Sequence, residues 1–194
     1  MTDHSRDKFQ HKIFTIPNIL SFFRLALIPA IAWLYVAEEN YLWTVILLVI
    51  SGVTDVVDGF VARKFNMVSD LGKALDPVAD KLTQFVMLIC LLTRFPLMII
   101  PILVMFLKEL AAGIMGLMTI KRTGKVTSAV WHGKANTVLL YLTILVHLVW
   151  YNISPVQSSV FIGICTGVMI MSCVMYTMFY FNAIKSGSKK ENDK

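Results

Sequence analysis

Four aspartates carry the chemistry in this sequence: Asp55 and Asp58 in DVVDGFVAR, and Asp76 and Asp80 in GKALDPVAD. Residues three and four apart share a helix face, so Asp55, Asp58, Gly59 and Ala62 fall on one side of a helix. Gly72, Asp76 and Asp80 follow at intervals of four on the next, with Pro77 disturbing that helix or marking its start. Each carboxylate pair therefore has small residues beside it, where a bulky ligand can approach the backbone. Like charges a few ångströms apart oppose one another's ionisation, so a cation is expected among them. The local bases are Arg63, Lys64, Lys73 and Lys81, of which Lys64 and Lys73 can turn to water. A bound divalent cation meets the need more simply. An oxygen-only ligand set suits Mg2+, Mn2+ or Ca2+ rather than zinc, and two ions side by side would suit four carboxylates and a diphosphate. Two alternatives stay open: salt bridges from the acids to Arg63 and Lys81, or the cation site of a transporter. Lone buried ion pairs rarely add stability, and transporter sites usually lie at the bilayer midplane.

The elements that must hold these acids are apolar. Of 194 residues 57% are hydrophobic and 15% charged, where a soluble domain carries about 25% charged residues. Six runs, about 16–37, 40–57, 75–93, 96–119, 135–152 and 157–181, approach or exceed the roughly 20 residues a helix needs to cross a bilayer. The expected fold is an all-α integral membrane protein with six transmembrane helices and a polar active-site cavity facing the cytoplasm. Residues 1–15 form a cytoplasmic arm, 16–184 the membrane domain and 185–194 a basic, polar tail.

The formal charge of +6 is unevenly distributed. Arg6, Lys8 and Lys12 precede the first run, and Arg63, Lys64 and Lys73 separate the second from the third. Lys121, Arg122, Lys125 and Lys134 separate the fourth from the fifth, and Lys185, Lys189 and Lys190 follow the sixth. The opposite loops hold only Arg94. Positive charge marks the cytoplasmic side, which places both termini and the acids there. These bases lack a nucleic-acid motif or interleaved aromatics, so no nucleic-acid partner is expected. Cys90, Cys165 and Cys173 are scattered through apolar runs and read as small buried hydrophobes.

The string Asp55-x2-Asp58-Gly59-x2-Ala62-Arg63-x8-Gly72-x3-Asp76-x3-Asp80 resembles the signature of the CDP-alcohol phosphotransferase family at all eight positions. TIPNILSFFRLALIP, with Asn18, Ser21 and Arg24, is similar to the amino-terminal segment of its bacterial phosphatidylglycerophosphate synthases, as are LDPVADK and, more loosely, SAVWHGKANT. The resemblance implies six transmembrane helices, a homodimer, and a cytoplasmic cavity for a CDP-linked substrate and two Mg2+ or Mn2+ ions. It makes Asp55, Asp58, Asp76 and Asp80 the metal ligands, with Asp80 also the general base. Asp58, Gly59, Ala62, Arg63 and Gly72 would contact the CDP end of CDP-diacylglycerol. The implied reaction transfers the phosphatidyl group to a polar alcohol, with sn-glycerol 3-phosphate the first acceptor and phosphatidylglycerol or inositol phosphate as alternatives.

Lys108, Lys121, Arg122, Lys125 and Lys134 are candidates for an anionic acceptor. A local pair with Glu109 is the competing reading for Lys108, and a lipid-headgroup-facing loop is the one for Lys121, Arg122 and Lys125. Lys134 matches a Gly-Lys element of the resembled branch. That branch commonly has Arg-Glu where this chain has Lys108-Glu109, and a further arginine where it has Gly116. Arg24 is expected in a polar role, in the cavity or on a lipid phosphate. His147 is expected to pack between helices, and His132 in the basic loop stays unassigned.

Overall fold

The computed structural model describes residues 15–65, 70–123, 130–150 and 152–192. The expected arm thus lies almost wholly outside the described residues, as does Lys125. Six α-helices account for nearly all the described chain, with no strand among the described residues. They are α1 (Ile16–Val36), α2 (Tyr41–Lys64), α3 (Asp70–Leu92), α4 (Ile99–Thr123), α5 (Val130–Val149) and α6 (Pro155–Asn192). Four stretches are long and apolar enough to cross a membrane: Asn18–Val36, Tyr41–Val61, Pro96–Met115 and Pro155–Met178. Ala135–Val149 is a shorter apolar helix.

The chain forms two compact units. One comprises residues 1–90 and 148–151, the other 91–147 and 152–194. In the first, Thr15 caps α1 by accepting from the Asn18 N–H at 3.4 Å, and Pro17 starts the helix, where its missing N–H costs nothing. Asn40 caps α2 through the Trp43 N–H at 3.2 Å. Glu39, with φ 49°, turns the chain tightly between them. A connection this short lays α1 and α2 side by side. Trp33, Tyr35, Tyr41 and Trp43 gather around that turn, where Trp33 Nε1 donates to Glu38 at 3.2 Å. Amphipathic aromatics of this kind mark a membrane–water boundary.

The burial pattern of this pair runs opposite to that of a soluble protein. Asn18, Ser21, Arg24, Thr44, Ser51 and Asp58 are buried, while Leu42, Val49, Val53, Val56 and Phe60 are exposed. Contiguous exposed apolar surface beside a polar interior calls for lipid rather than water outside. The chain is an integral membrane protein by this pattern and by its apolar helices. At about 1.5 Å per residue, Asp58 stands roughly 9 Å from the Lys64 end of α2, so the acids lie towards one end of a membrane helix.

α3 corrects one expectation. Pro77 neither starts nor ends it, because the helix begins at Asp70 and runs through the proline to Leu92. Proline removes one N–H and crowds the preceding turn, but the apolar body beyond it, with Met87, Leu88 and Leu91 buried, anchors the helix on both counts. α2 runs past the apolar run to Lys64, so Asp55, Asp58, Gly59 and Ala62 lie on one helix as expected, and α6 continues through the polar tail to Asn192.

In the second unit α4 packs on α6 with a short 3-10 turn, Pro96–Met98, against both. Ser154 and Gln157 form a reciprocal cap at the start of α6. Ser154 Oγ accepts from the Gln157 N–H at 3.3 Å, and Gln157 Oε1 accepts from the Ser154 N–H at 3.2 Å; this leaves fewer orphan donors at the helix start. His147 closes the same end. Its Nδ1 lies 2.7 Å from the Thr143 carbonyl and therefore carries the proton, which leaves Nε2 to accept from Ser158 Oγ at 3.0 Å. Phe95 packs edge-on against the imidazole with centroids 4.9 Å apart. This is the helix-packing role expected of His147. Replacing it with Ala should cost about 1–3 kcal/mol, seen as a lower thermal unfolding midpoint in detergent, with His147→Asn losing less. An unchanged midpoint for His147→Ala would show that the joint contributes nothing.

Candidate active site

Three of the four aspartates converge on one guanidinium. Arg24 of α1 donates through Nη1 to Asp55 Oδ1, and through Nη2 to Asp58 Oδ2 at 2.7 Å and Asp76 Oδ1 at 3.4 Å. Ser21, one helical step back on α1, donates its hydroxyl to the same Asp76 oxygen. Side chains from α1, α2 and α3 thus meet at one point. A guanidinium can do this because its donors form a rigid planar fork, whereas an ammonium is a single point of charge.

Arg63, Lys64, Lys73 and Lys81 are the bases nearest the acids in sequence, and the side chains of Arg63 and Lys73 lie outside the described residues. The base that meets Asp55, Asp58 and Asp76 comes from α1. Asn18, Ser21 and Arg24 are spaced by three on an otherwise apolar helix, a polar stripe that points to a buried partner. The side chains of Ala62 and Arg63 lie outside the described residues, as do those of Lys121, Arg122, His132 and Lys134.

The site is closed on one side and open on the other. The Asp58 side chain is 2% exposed, whereas those of Asp55 and Asp76 are 46% and 38% exposed. A ligand therefore meets Asp55 and Asp76 first, with Asp58 at the base. Asp80 sits one turn beyond Asp76 on α3 and accepts from Gln84 Nε2 at 3.0 Å. Gln84 is itself buried, so it fixes one carboxylate oxygen. Its place four residues after Asp80 was legible in the sequence but not singled out. Gly72 is buried a turn before Asp76, and Gly59 is half-buried beside Asp58.

Among the described residues, three carboxylates face one guanidinium, an excess of acid over base. Charges held away from water need partners, so the donor set fits further cations with an appetite for oxygen. As the side chains stand, no three His, Cys, Asp or Glu among the described residues are grouped as a metal shell. Arg24 occupies the centre that such a shell would need. Lys108, in the other unit, is buried with its Nζ 3.2 Å from Glu109 Oε1, the local pair considered above.

A family model described as CDP-alcohol phosphatidyltransferase matches residues 14–179. The chain belongs to the CDP-alcohol phosphatidyltransferase family. Among its relatives is a "CDP-diacylglycerol--glycerol-3-phosphate 3-phosphatidyltransferase" of Aquifex aeolicus, 32% identical over 176 residues, which cover 87% of this chain and 97% of that protein. A Rickettsia bellii protein of the same name is 32% identical over 134 residues, 68% of this chain and 74% of its own length. A "Cardiolipin synthase (CMP-forming)" of Streptomyces coelicolor is 45% identical over 76 residues, 37% of this chain; the match spans about a third of that relative, 35% of its length. Membership carries the fold and the acidic string together, since both fall inside the matched residues.

The exposure difference between Asp58 and Asp55 makes their substitutions unequal. Asp58→Asn removes a charge from a buried pair and should destabilise by about 3–5 kcal/mol. Asp55→Asn, half in solvent, should cost about 1 kcal/mol or less. Thermal unfolding of the purified variants separates them, and equal or reversed losses would contradict the buried position of Asp58.

Proposed function

We propose that this protein transfers the phosphatidyl group of CDP-diacylglycerol to the hydroxyl of a glycerol-bearing alcohol, releasing CMP. The observation that carries the proposal is the convergence of Asp55, Asp58 and Asp76 on one cationic centre that opens to one side, with Asp80 beside it on α3. The family match and the names of the full-length relatives support the same chemistry.

Asp55, Asp58, Asp76 and Asp80 would hold two Mg2+ or Mn2+ ions, and these supply charge neutralisation to the substrate diphosphate and to departing CMP. The protein's part is positioning and proton transfer. Gly59 and Gly72 present little bulk beside the acids, and with Ala62 and Arg63 they would receive the cytidine diphosphate end. Asp80, oriented by the hydrogen bond from Gln84, would receive the proton of the acceptor hydroxyl. The acceptor oxygen forms a bond to the phosphorus that bears the diacylglycerol, and its proton passes to Asp80. The phosphorus–oxygen bond to CMP breaks, and CMP leaves with that electron pair. A carboxylate is a weak base towards an alcohol, so the proton moves as the new bond forms rather than before it. Phosphoryl transfer of this kind asks for alignment and charge compensation more than covalent chemistry.

The acceptor assigned first is sn-glycerol 3-phosphate, in keeping with the relatives matched over most of their length. Phosphatidylglycerol is the second reading, favoured by the higher local identity to the Streptomyces cardiolipin synthase. Lys108, Lys121, Arg122, Lys125 and Lys134 are the cations offered to the acceptor's phosphate. We also assign six membrane spans, including α3 and α5, a homodimer, and a cytoplasmic face for both termini and a polar cavity at the acids. The clustering of Lys and Arg on alternate loops supports that orientation.

Purified protein supplied with CDP-diacylglycerol and Mg2+ tests this directly. Glycerol 3-phosphate, phosphatidylglycerol, inositol phosphate and serine are offered separately, while CMP and the lipid product are followed by mass spectrometry. Glycerol 3-phosphate should yield CMP and phosphatidylglycerophosphate, and Asp80→Asn should slow that release about 100-fold or more with the helical fold intact. Product from phosphatidylglycerol alone would transfer the assignment to cardiolipin synthesis. Folded protein that releases no CMP with any acceptor would contradict the enzyme reading and favour a cation transporter.

A further inference from the structure

Arg24 stands where the acids would need to close around an ion. Its Nη atoms already take one oxygen from each of Asp55, Asp58 and Asp76. A divalent ion binds carboxylate oxygens at about 2.0–2.1 Å for magnesium, so ion and guanidinium draw on the same few atoms. They also repel. Two like-signed centres a few ångströms apart in a partly buried site, where screening is weaker than in water, oppose one another. Arg24 cannot retreat to water cheaply, since its side chain is 3% exposed. Its Nε–H is buried and has no hydrogen-bond partner among the described residues, which leaves the guanidinium with donor capacity suited to an incoming anion.

These observations separate two ways of loading the site. Ions arriving alone must displace or face Arg24. Ions arriving with a diphosphate bring negative charge that offsets the guanidinium and gives its unpartnered N–H an acceptor. We propose that Arg24 is a positioning residue that couples divalent-ion binding to diphosphate binding: it keeps metal affinity low until a nucleoside diphosphate group is present. The proposal rests on the metal-dependent reading of the site above and adds to it a residue outside the acidic string. Asp76 takes part through Ser21 as well, whose hydroxyl holds the carboxylate oxygen that Arg24 shares. The carboxylate therefore keeps one fixed partner when the guanidinium shifts.

The test is a Mn2+ titration of the purified full chain, free ion being read by electron paramagnetic resonance, with and without CDP. In the wild type, CDP should tighten Mn2+ binding about tenfold or more, within the usual range of coupling between two ligands. In Arg24→Gln, Mn2+ alone should bind about tenfold tighter than to the wild type, and the effect of CDP should shrink to about threefold or less, since the opposing charge is gone. Arg24→Lys keeps the charge but loses the fork, so its affinity for Mn2+ alone should fall between the two. If Arg24→Gln does not fold, Arg24→Met, which also lacks the charge, decides on the same terms. A folded Arg24→Gln or Arg24→Met variant that binds Mn2+ no tighter than the wild type, or that keeps the full effect of CDP, overturns the coupling and leaves the enzyme reading standing. Wild-type protein that binds no Mn2+ with or without CDP overturns the metal reading and this proposal together.

Discussion

A single buried guanidinium facing three carboxylates is the interaction on which the first unit of this protein depends. Arg24 reaches from α1 to two aspartates on α2 and one on α3, and it is the described charge at the centre of the group. An ion pair of this depth is not a source of stability by default, because removing the charges from water offsets much of their attraction. Its value is specific. Three helices are tied into one relative arrangement in which the carboxylates share a point. On the proposed reading, the negative charge gathered there is what would hold the metal ions and, through them, a diphosphate.

The membrane makes such a cluster tenable. Lipid outside demands apolar surface, and α1 and α2 meet that demand with Ile19, Phe22 and Phe23 of the first and Leu42, Val49, Val53, Val56 and Phe60 of the second turned outward. The polar residues are left to face one another. On α2, Asp58 lies towards the Lys64 end of the helix rather than at its middle. A substrate with a nucleotide at one end and two acyl chains at the other suits that placement. In the second unit, the Ser154–Gln157 cap and the His147–Ser158 bond serve a different purpose: they fasten α5 to the start of α6 where the chain turns.

Much of this was legible in the sequence because helical periodicity and apolar length are local properties. The six apolar runs correspond to the six helices, and the spacing of Asp55 with Asp58, and of Gly72, Asp76 and Asp80, gave the faces on which they lie. What was not legible is what depends on packing between helices. Arg24 is separated from Asp55 by 31 residues and from Asp76 by 52, and no periodicity within a helix reports a partner at that distance. The polar stripe of Asn18, Ser21 and Arg24 announced a buried role without naming its counterpart. Pro77 misled for a local reason. Its penalty in a helix is intrinsic, whereas the burial of Met87, Leu88 and Leu91 that carries α3 through it lies several turns away.

The central claim is that the aspartates around Arg24 are the seat of diphosphate chemistry. Anomalous diffraction from crystals grown with Mn2+ and CDP tests it most directly. Manganese peaks should stand about 2.0–2.3 Å from carboxylate oxygens of Asp55, Asp58, Asp76 and Asp80, allowing a little more than the magnesium distance, with the CDP phosphates between the ions and the cytidine alongside Gly59. Manganese bound away from these four carboxylates, or CDP bound elsewhere in a folded protein, would contradict the claim.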